Sequence, residues 1–315
     1  MTDCPKSQWI LILILCIVQI VTGNYGLWAD WWSYEGISGP EYWGLLYPDW
    51  LLCSKGRNQS PVNVDPKTLL FDPSLDHIMF KGNEFTGYLV NNGHDITFDI
   101  EELRWKGVNI TGGPVSYNYR IKEIRLHFGT DDSYGSEHSI NGKSFPAEIH
   151  IMAYNSDLYS NITEAEKSPR GMLILAIFAQ TTDVTHGEFE ILVNAMNKTK
   201  YKDSTKVREF YLSRLLPPTD YYITYEGSLT HPGCYETVTW VILNKPIYIS
   251  KKQIDTMRKL NQAGRKNPQM LMAGNLRPRK DVNQRTIRTN INFHNHKCSM
   301  VQHMYYSVNN KYAET

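Results

Sequence analysis

Residues 122–129 read KEIRLHFG. Polar and apolar side chains alternate from Glu123 to Phe128, the period-two signature of a half-buried strand. Glu123, Arg125 and His127 therefore share one face, and Ile124, Leu126 and Phe128 take the other. An Arg beside a His on one strand face is the feature to explain. A second strand-like stretch, AEIHIMAYN at 147–155, sets Glu148, His150 and Met152 on one face by the same rule. If the two strands pair, His127 and His150 meet, and two His make a partial metal site. Zinc takes three protein ligands plus water in a catalytic site and four in a structural one. A lone His in a sheet is more often a satisfied core residue, so both readings stand at this point.

Outward from these two strands, short apolar runs alternate with Gly, Asn and Asp clusters. HDITFDI (94–100), GMLILAIFAQ (171–180), EFEILVNAM (188–196) and TVTWVILNKPI (237–247) read as further strands. Two stretches read as helices. In STKVREFYLSRLL (204–216), Val207, Phe210, Tyr211 and Leu215 recur at helical spacing. In SKKQIDTMRKLNQ (250–262), Ser250 is placed as an N-cap and Ile254, Met257 and Leu260 point inward.

The 315 residues carry a net charge of +1, so the chain as a whole shows no bias toward nucleic acid. From Lys251 onward there are 13 Lys and Arg against 3 Asp and Glu, which leaves 20 against 29 before it. A solvated helix face plus a soluble tail is one reading of that basic end, and a site for an anionic partner is the other. At the N-terminus Lys6 precedes the apolar run WILILILCIVQIV, which Val21, Thr22 and Gly23 close with small residues. Residues 1–23 read as a secretory signal peptide cleaved near Gly23, with an uncleaved anchor as the other reading. No later run is long enough to span a bilayer. The expected order is signal peptide 1–23, one domain over 24–294 and a flexible polar tail over 295–315, in a protein found outside the cell. Cys4 and Cys16 leave with the signal segment. Cys53, Cys234 and Cys298 remain, an odd number, so one pair and one leftover thiol are expected in an oxidising compartment. Sequons at Asn109, Asn161 and Asn197 fit the same compartment, whereas Pro61 makes Asn58 a poor acceptor.

Taken in order, GPEYWG (39–44), GRNQSPVNV (56–64), NNGHDITFDI (91–100), IRLHFG (124–129), GSEHSING (135–142), AEIHIMAYN, GSLTHPGCYETVTWVILNKPI (227–247) and RTNINF (288–293) resemble an alpha-class carbonic anhydrase over almost all of residues 28–294. The resemblance implies a sheet-dominated α+β fold. One domain is built around a large, mainly antiparallel twisted β-sheet, with the active site in a conical cleft. In that family three neutral imidazoles hold Zn²⁺, which activates a water for attack on CO₂. Matched residue by residue, the first ligand falls on Arg125, the second on His127 and the third on His150. A guanidinium stays protonated and offers donors but no lone pair. The resemblance therefore implies no metal cofactor, or zinc held only weakly by the two remaining His.

Further positions follow from the same match. Glu148 corresponds to the acid that orients the third His. Thr230 corresponds to the gatekeeper hydroxyl and Glu137 to its acceptor, a buried bond that packing alone would retain. His94 falls on the proton shuttle, and Tyr34 and Asn92 on the cleft's water network. Glu123, two residues before Arg125 on the same face, is the expected counterion, because a buried unpaired Arg is very costly.

GGPVSYNYRIKEIRLHFG (112–129), LYSNITEAEKSP (158–169) and CSKGRNQSPVN (53–63) resemble the acatalytic branch, the secreted carbonic anhydrase-related proteins X and XI. Those relatives usually lose the third ligand too, whereas His150 stands here. The resemblance implies an inactive extracellular binding protein whose partner is a receptor of the neurexin type. It also maps the family disulfide onto Cys53 and Cys234 and leaves Cys298 for an intermolecular bond, to a partner or in a linked dimer. The alternative is a zinc-dependent carbonate dehydratase or esterase working through an altered site.

Overall fold

The computed structural model describes residues 31–101, 107–264 and 270–292. The expected signal segment 1–23, Cys298 and the expected tail 295–315 lie outside the described residues. Eight strands position the site: β1 Glu84–Asn91, β2 Ile96–Ile100, β3 Val115–Phe128, β4 Ala147–Asn155, β5 Met172–Thr182, β6 Asp203–Tyr211, β7 Tyr222–Gly227 and β8 Val238–Leu243. Their order in the main sheet is β6-β1-β2-β3-β4-β5-β8-β7, continued by Arg288–Thr289 and then Leu70–Phe71. Neighbours are antiparallel except where β5 pairs with β8 and with Ile247–Ser250, and where Arg288–Thr289 pairs with Leu70–Phe71. The protein is thus a sheet-dominated single domain with few helices.

The near-continuous apolar run of β5 has a direct cause. Leu173, Leu175, Ile177 and Ala179 enter one hydrophobic cluster, while Met172, Ile174, Ala176 and Phe178 enter another on the opposite face. A strand covered on both sides carries no polar alternation. On β3 and β4 only one face is wholly apolar. Ile124, Leu126, Phe128, Ile149, Ile151 and Ala153 all join the first cluster. The other face carries Glu123, Arg125, His127, Glu148 and His150, so the sheet itself gathers the polar side chains of the cleft.

Residues 250–262 behave as expected at their start. Helix α2, Lys251–Met257, opens with a capping box in which Ser250 accepts from the Gln253 amide and the Gln253 side chain reaches back to the Ser250 backbone. Two other expectations are overturned. EFEILVNAM is not a strand but helix α1, Gly187–Met196, capped by the His186 side chain. Phe189, Leu192, Val193 and Met196 are buried at three- and four-residue spacing, a helical period that the density of apolar residues conceals. Conversely, STKVREFY is strand β6, followed by a single helical turn over Leu212–Leu215. Its pairing with β1 shifts register between Val207 and Phe210, and Glu209 takes a φ of 55°. That bulge sets the two buried side chains three residues apart, which imitates a helix in the sequence.

Cys53 and Cys234 are disulfide-bonded across a sequence separation of 181, and they pack with Tyr34 and Trp43. Among the described residues no helix is long and apolar enough to cross a membrane. The sequon residues Asn161 and Asn197 are exposed, and Asn109 is half-buried.

Candidate functional site

Strands β3 and β4 pair with Arg125 opposite His150 and His127 opposite Glu148. Cross-strand partners project to the same face, so the four side chains form one polar floor. His127 and His150 lie with ring centroids 4.5 Å apart. His127 Nδ1 is 2.7 Å from the Asn275 backbone oxygen, and His150 Nε2 is 2.8 Å from Glu148 Oε1. Burial lowers the pKa of both rings, keeping them neutral at pH 7.

Glu148 also accepts from His138, through the backbone amide at 2.8 Å and ring Nδ1 at 2.7 Å. Burial works against its charge, yet His138 and His150 hold its pKa well below the usual carboxylate range. Beyond His138 the bonding runs on to the Tyr225 hydroxyl at 2.6 Å and from there to Ser60 Oγ at 2.9 Å. Trp240 closes the side of the cleft, edge-on to His138 and His150.

Arg125 is held by two carboxylates rather than one. Its Nη2 donates to Glu123 Oε1 at 2.7 Å, and Nη1 lies 3.6 Å from Asp95 Oδ2. Burial disfavours the cation, but Glu123 and then Asp95 outweigh it and raise the guanidinium pKa above its ordinary value. Asp95 is itself buried and accepts from the Tyr34 hydroxyl at 3.0 Å and Asn275 Nδ2 at 3.2 Å. Asp95 escaped the sequence reading although a signal was present. Thr97 pairs with Arg125 across the sheet, and Asp95 lies two residues earlier on the same face.

Glu137 sits beneath the two imidazoles, with Oε2 3.7 Å from His127 Nε2 and 3.8 Å from His150 Nδ1. Burial raises its pKa, opposed by His127 and by the Thr230 hydroxyl. Its other oxygen, Oε1, accepts from the Arg277 amide at 2.9 Å. Arg277, fully buried, donates to Ser60 O and Gln59 Oε1, both at 2.8 Å, and to Cys53 O at 3.2 Å. Its guanidinium also faces the Trp43 ring at 5.8 Å. Asn275 and Arg277 lie in an irregular segment with no periodicity to betray them. His231 brings another imidazole, with Nε2 buried and unbonded.

The remaining expected positions are engaged locally. The His94 ring stacks on Trp32 with centroids 4.1 Å apart. Asn92 Oδ1 accepts from the amides of His94 and Asp95, both at 2.8 Å, so it shapes the turn that delivers Asp95.

Glu166, at the end of the helical turn Ile162–Glu166, is pushed up to about 7 by burial, with Arg125 pulling the other way and Glu123 adding to the rise. The folded state thus binds this proton more tightly than the unfolded chain. The resulting penalty is absent below pH ~4.5, grows between the two pKa values and is complete above pH ~7. Glu166→Gln is expected to stabilise by about 2 kcal/mol at pH 8 and by nothing at pH 4. Paired denaturation curves check this, and an equal difference at both pH values would show a solvated carboxyl.

The family's zinc does not fit these residues. Two imidazoles face the floor, but the position of the third holds a cation locked to two acids. The comparisons agree with the architecture. Residues 38–291 match the eukaryotic-type carbonic anhydrase domain. The chain is 43% identical over 265 residues to carbonic anhydrase-like protein 2 of Caenorhabditis elegans, an alignment covering 82% of this chain and 79% of that relative. It is 33% identical over 356 residues to carbonic anhydrase-like protein 1 of the same organism, covering 92% and 97%. With its sheet, its cleft strands and these relatives in agreement, the chain belongs to the eukaryotic-type carbonic anhydrase family.

Proposed function

We propose that this protein is a secreted, non-catalytic member of the family that acts by binding an extracellular protein, a receptor of the neurexin type being the partner implied by its branch. The observation that carries the reading is Arg125, fixed by Glu123 and Asp95 where the first imidazole of the family site would stand. A guanidinium gives no lone pair to a metal, and this one is anchored on both sides. Zinc-dependent carbonate dehydratase or esterase activity is the competing reading, favoured by the persistence of His127, His150, Glu137 and Thr230 in one buried cluster.

Stopped-flow CO₂ hydration on purified secreted protein, paired with metal analysis, separates the two. No turnover above the uncatalysed rate is expected, and stoichiometric zinc with turnover would select the enzyme instead. Binding to immobilised neurexin-type ectodomains, followed by non-reducing gels of the parent and of Cys298→Ser, tests the partner. Saturable binding and a bridged species lost in the variant are expected. Failure to bind any such ectodomain would reject the partner class.

A further inference from the structure

A polar pocket of about 480 Å³ is lined by Arg57, Asn58, Asn283, Gln284 and Arg285 and shares no residue with the cleft floor. Residues 57–58 form one wall. The other is a turn in which the Arg285 amide donates to Val282 O at 3.3 Å. Asn283 takes a φ of 55° in that turn, and its Nδ2 donates to Arg57 O, which ties the walls together. Arg285 is held rigidly. Its guanidinium donates to Val282 O at 2.9 Å, to Gln59 O and Asp281 O at 2.8 Å and to Glu226 O at 3.2 Å. It also lies over the Tyr225 ring at 5.4 Å. All of these acceptors are neutral, and among the described residues neither Arg285 nor Arg57 forms an ion pair. Glu236, which acts on Arg285 through space, is taken up by the Asn58 amide at 2.7 Å and Gln59 Nε2 at 2.9 Å. Burial lowers the pKa of the Arg285 guanidinium, and a half-buried cation without a counterion is unfavourable. Arg57 is exposed, and its side chain has no hydrogen-bond partner among the described residues; the same holds for the amide groups of Asn58 and Gln284.

Two guanidinium groups with no acid between them suit an oxyanion, since Arg presents paired donors that match a sulfate or a carboxylate. The volume is too large for one such ion and falls in the range of sites for small organic molecules. The three amide side chains each donate and accept, as sugar hydroxyls do. We infer that this pocket binds an acidic saccharide, its sulfate or carboxylate between Arg57 and Arg285 and its hydroxyls on Asn58, Asn283 and Gln284. An acidic peptide offers carboxylates but few hydroxyls for the three amides. Pro61 makes Asn58 a poor glycan acceptor, so no sugar attached there is expected to compete. The site makes no use of the cleft and goes beyond the proposed function.

The probes are a heparin-derived hexasaccharide, which carries sulfates and carboxylates, and a hyaluronan hexasaccharide, which carries carboxylates alone. The full-length secreted protein is expected to bind at least one of them saturably at low salt, and which one tells sulfate from carboxylate. Arg57→Glu is expected to weaken that binding about 30-fold, and Gln284→Ala about fivefold. Both side chains are exposed and unbonded, so both variants are expected to fold as the parent does, which near-ultraviolet circular dichroism checks. The same charge reversal at exposed Lys252 of helix α2 is expected to leave binding unchanged. No binding of either hexasaccharide by the parent would overturn the site. So would unaltered binding in Arg57→Glu, or an equal loss in Lys252→Glu. An oligoglutamate peptide that binds as tightly, with the same loss in Arg57→Glu, would replace the saccharide by a peptide and overturn the inference as well. None of these outcomes depends on the fate of Arg125 or on a receptor partner.

Discussion

Arg125→His is expected to tighten Zn²⁺ binding at least ~100-fold over the parent and to bring measurable CO₂ hydration, the gain corresponding to about 2.7 kcal/mol. The substitution does two things at once. It removes a fixed positive charge from the neighbourhood of a dication, and it adds a neutral lone-pair donor opposite His150 on the adjoining strand. Both neighbouring acids lose their cation. Asp95 keeps the Tyr34 hydroxyl and the Asn275 amide as donors. The remaining negative charge then favours a metal. The orienting contacts of His127 and His150 are untouched, so the two standing imidazoles need no rearrangement. Zinc stoichiometry after dialysis and stopped-flow hydration are the measurements. A well-folded variant that takes up zinc no better than the parent would show that Arg125 is not what decides the chemistry of this cleft.

The second large effect concerns the covalent tie. Replacing Cys53 and Cys234 together by Ser is expected to lower stability by about 5 kcal/mol and the thermal midpoint by roughly 10–15 °C. The bond closes a loop of 181 residues in sequence separation, and a cross-link of that span removes much of the unfolded chain's freedom. Its two backbone carbonyls are also anchors, since Cys53 O accepts from Arg277 and Cys234 O from Gln59 Nε2 at 3.0 Å. Loosening the bridge therefore loosens the cage around Arg277. Denaturant titrations of parent and double variant give the difference directly. A loss below about 1 kcal/mol would mean that the packing of Tyr34 and Trp43 holds the segment by itself.

How far the sequence spoke depends on the distance over which each feature is decided. Period-two alternation placed Glu123, Arg125 and His127 on one face and Glu148 and His150 on another, and the register joined those faces. Glu123 was found because its partner lies two residues away. Asp95 was within reach of the same rule, but its strand begins only after it. Asn275 and Arg277 were beyond local reasoning. Most of their partners lie 140 or more residues earlier, and the nearer ones, Ser228 and Leu229, are still 49 and 48 residues away, with no periodic pattern between. The exchange of helix and strand at residues 188–211 has a different origin. α1 is so apolar that its helical stripe merges into a run, whereas the bulge in β6 creates a helical spacing where there is none.

Arg277 has a bearing on the order in which this molecule can be made. Its side chain holds the backbone at Cys53 and Ser60, its amide holds Glu137, and its near neighbour Asn275 holds His127. All of these earlier segments leave the ribosome well before residues 275–277 do. Until that late stretch arrives, His127, Glu137 and Asp95 lack their shared partners, however complete the central strands are. The cleft is thus closed from the C-terminal side, only after the central strands have been made. A chain interrupted before Asn275 would retain most of the sheet but lack the contacts that Asn275 and Arg277 make to His127, Asp95 and Glu137.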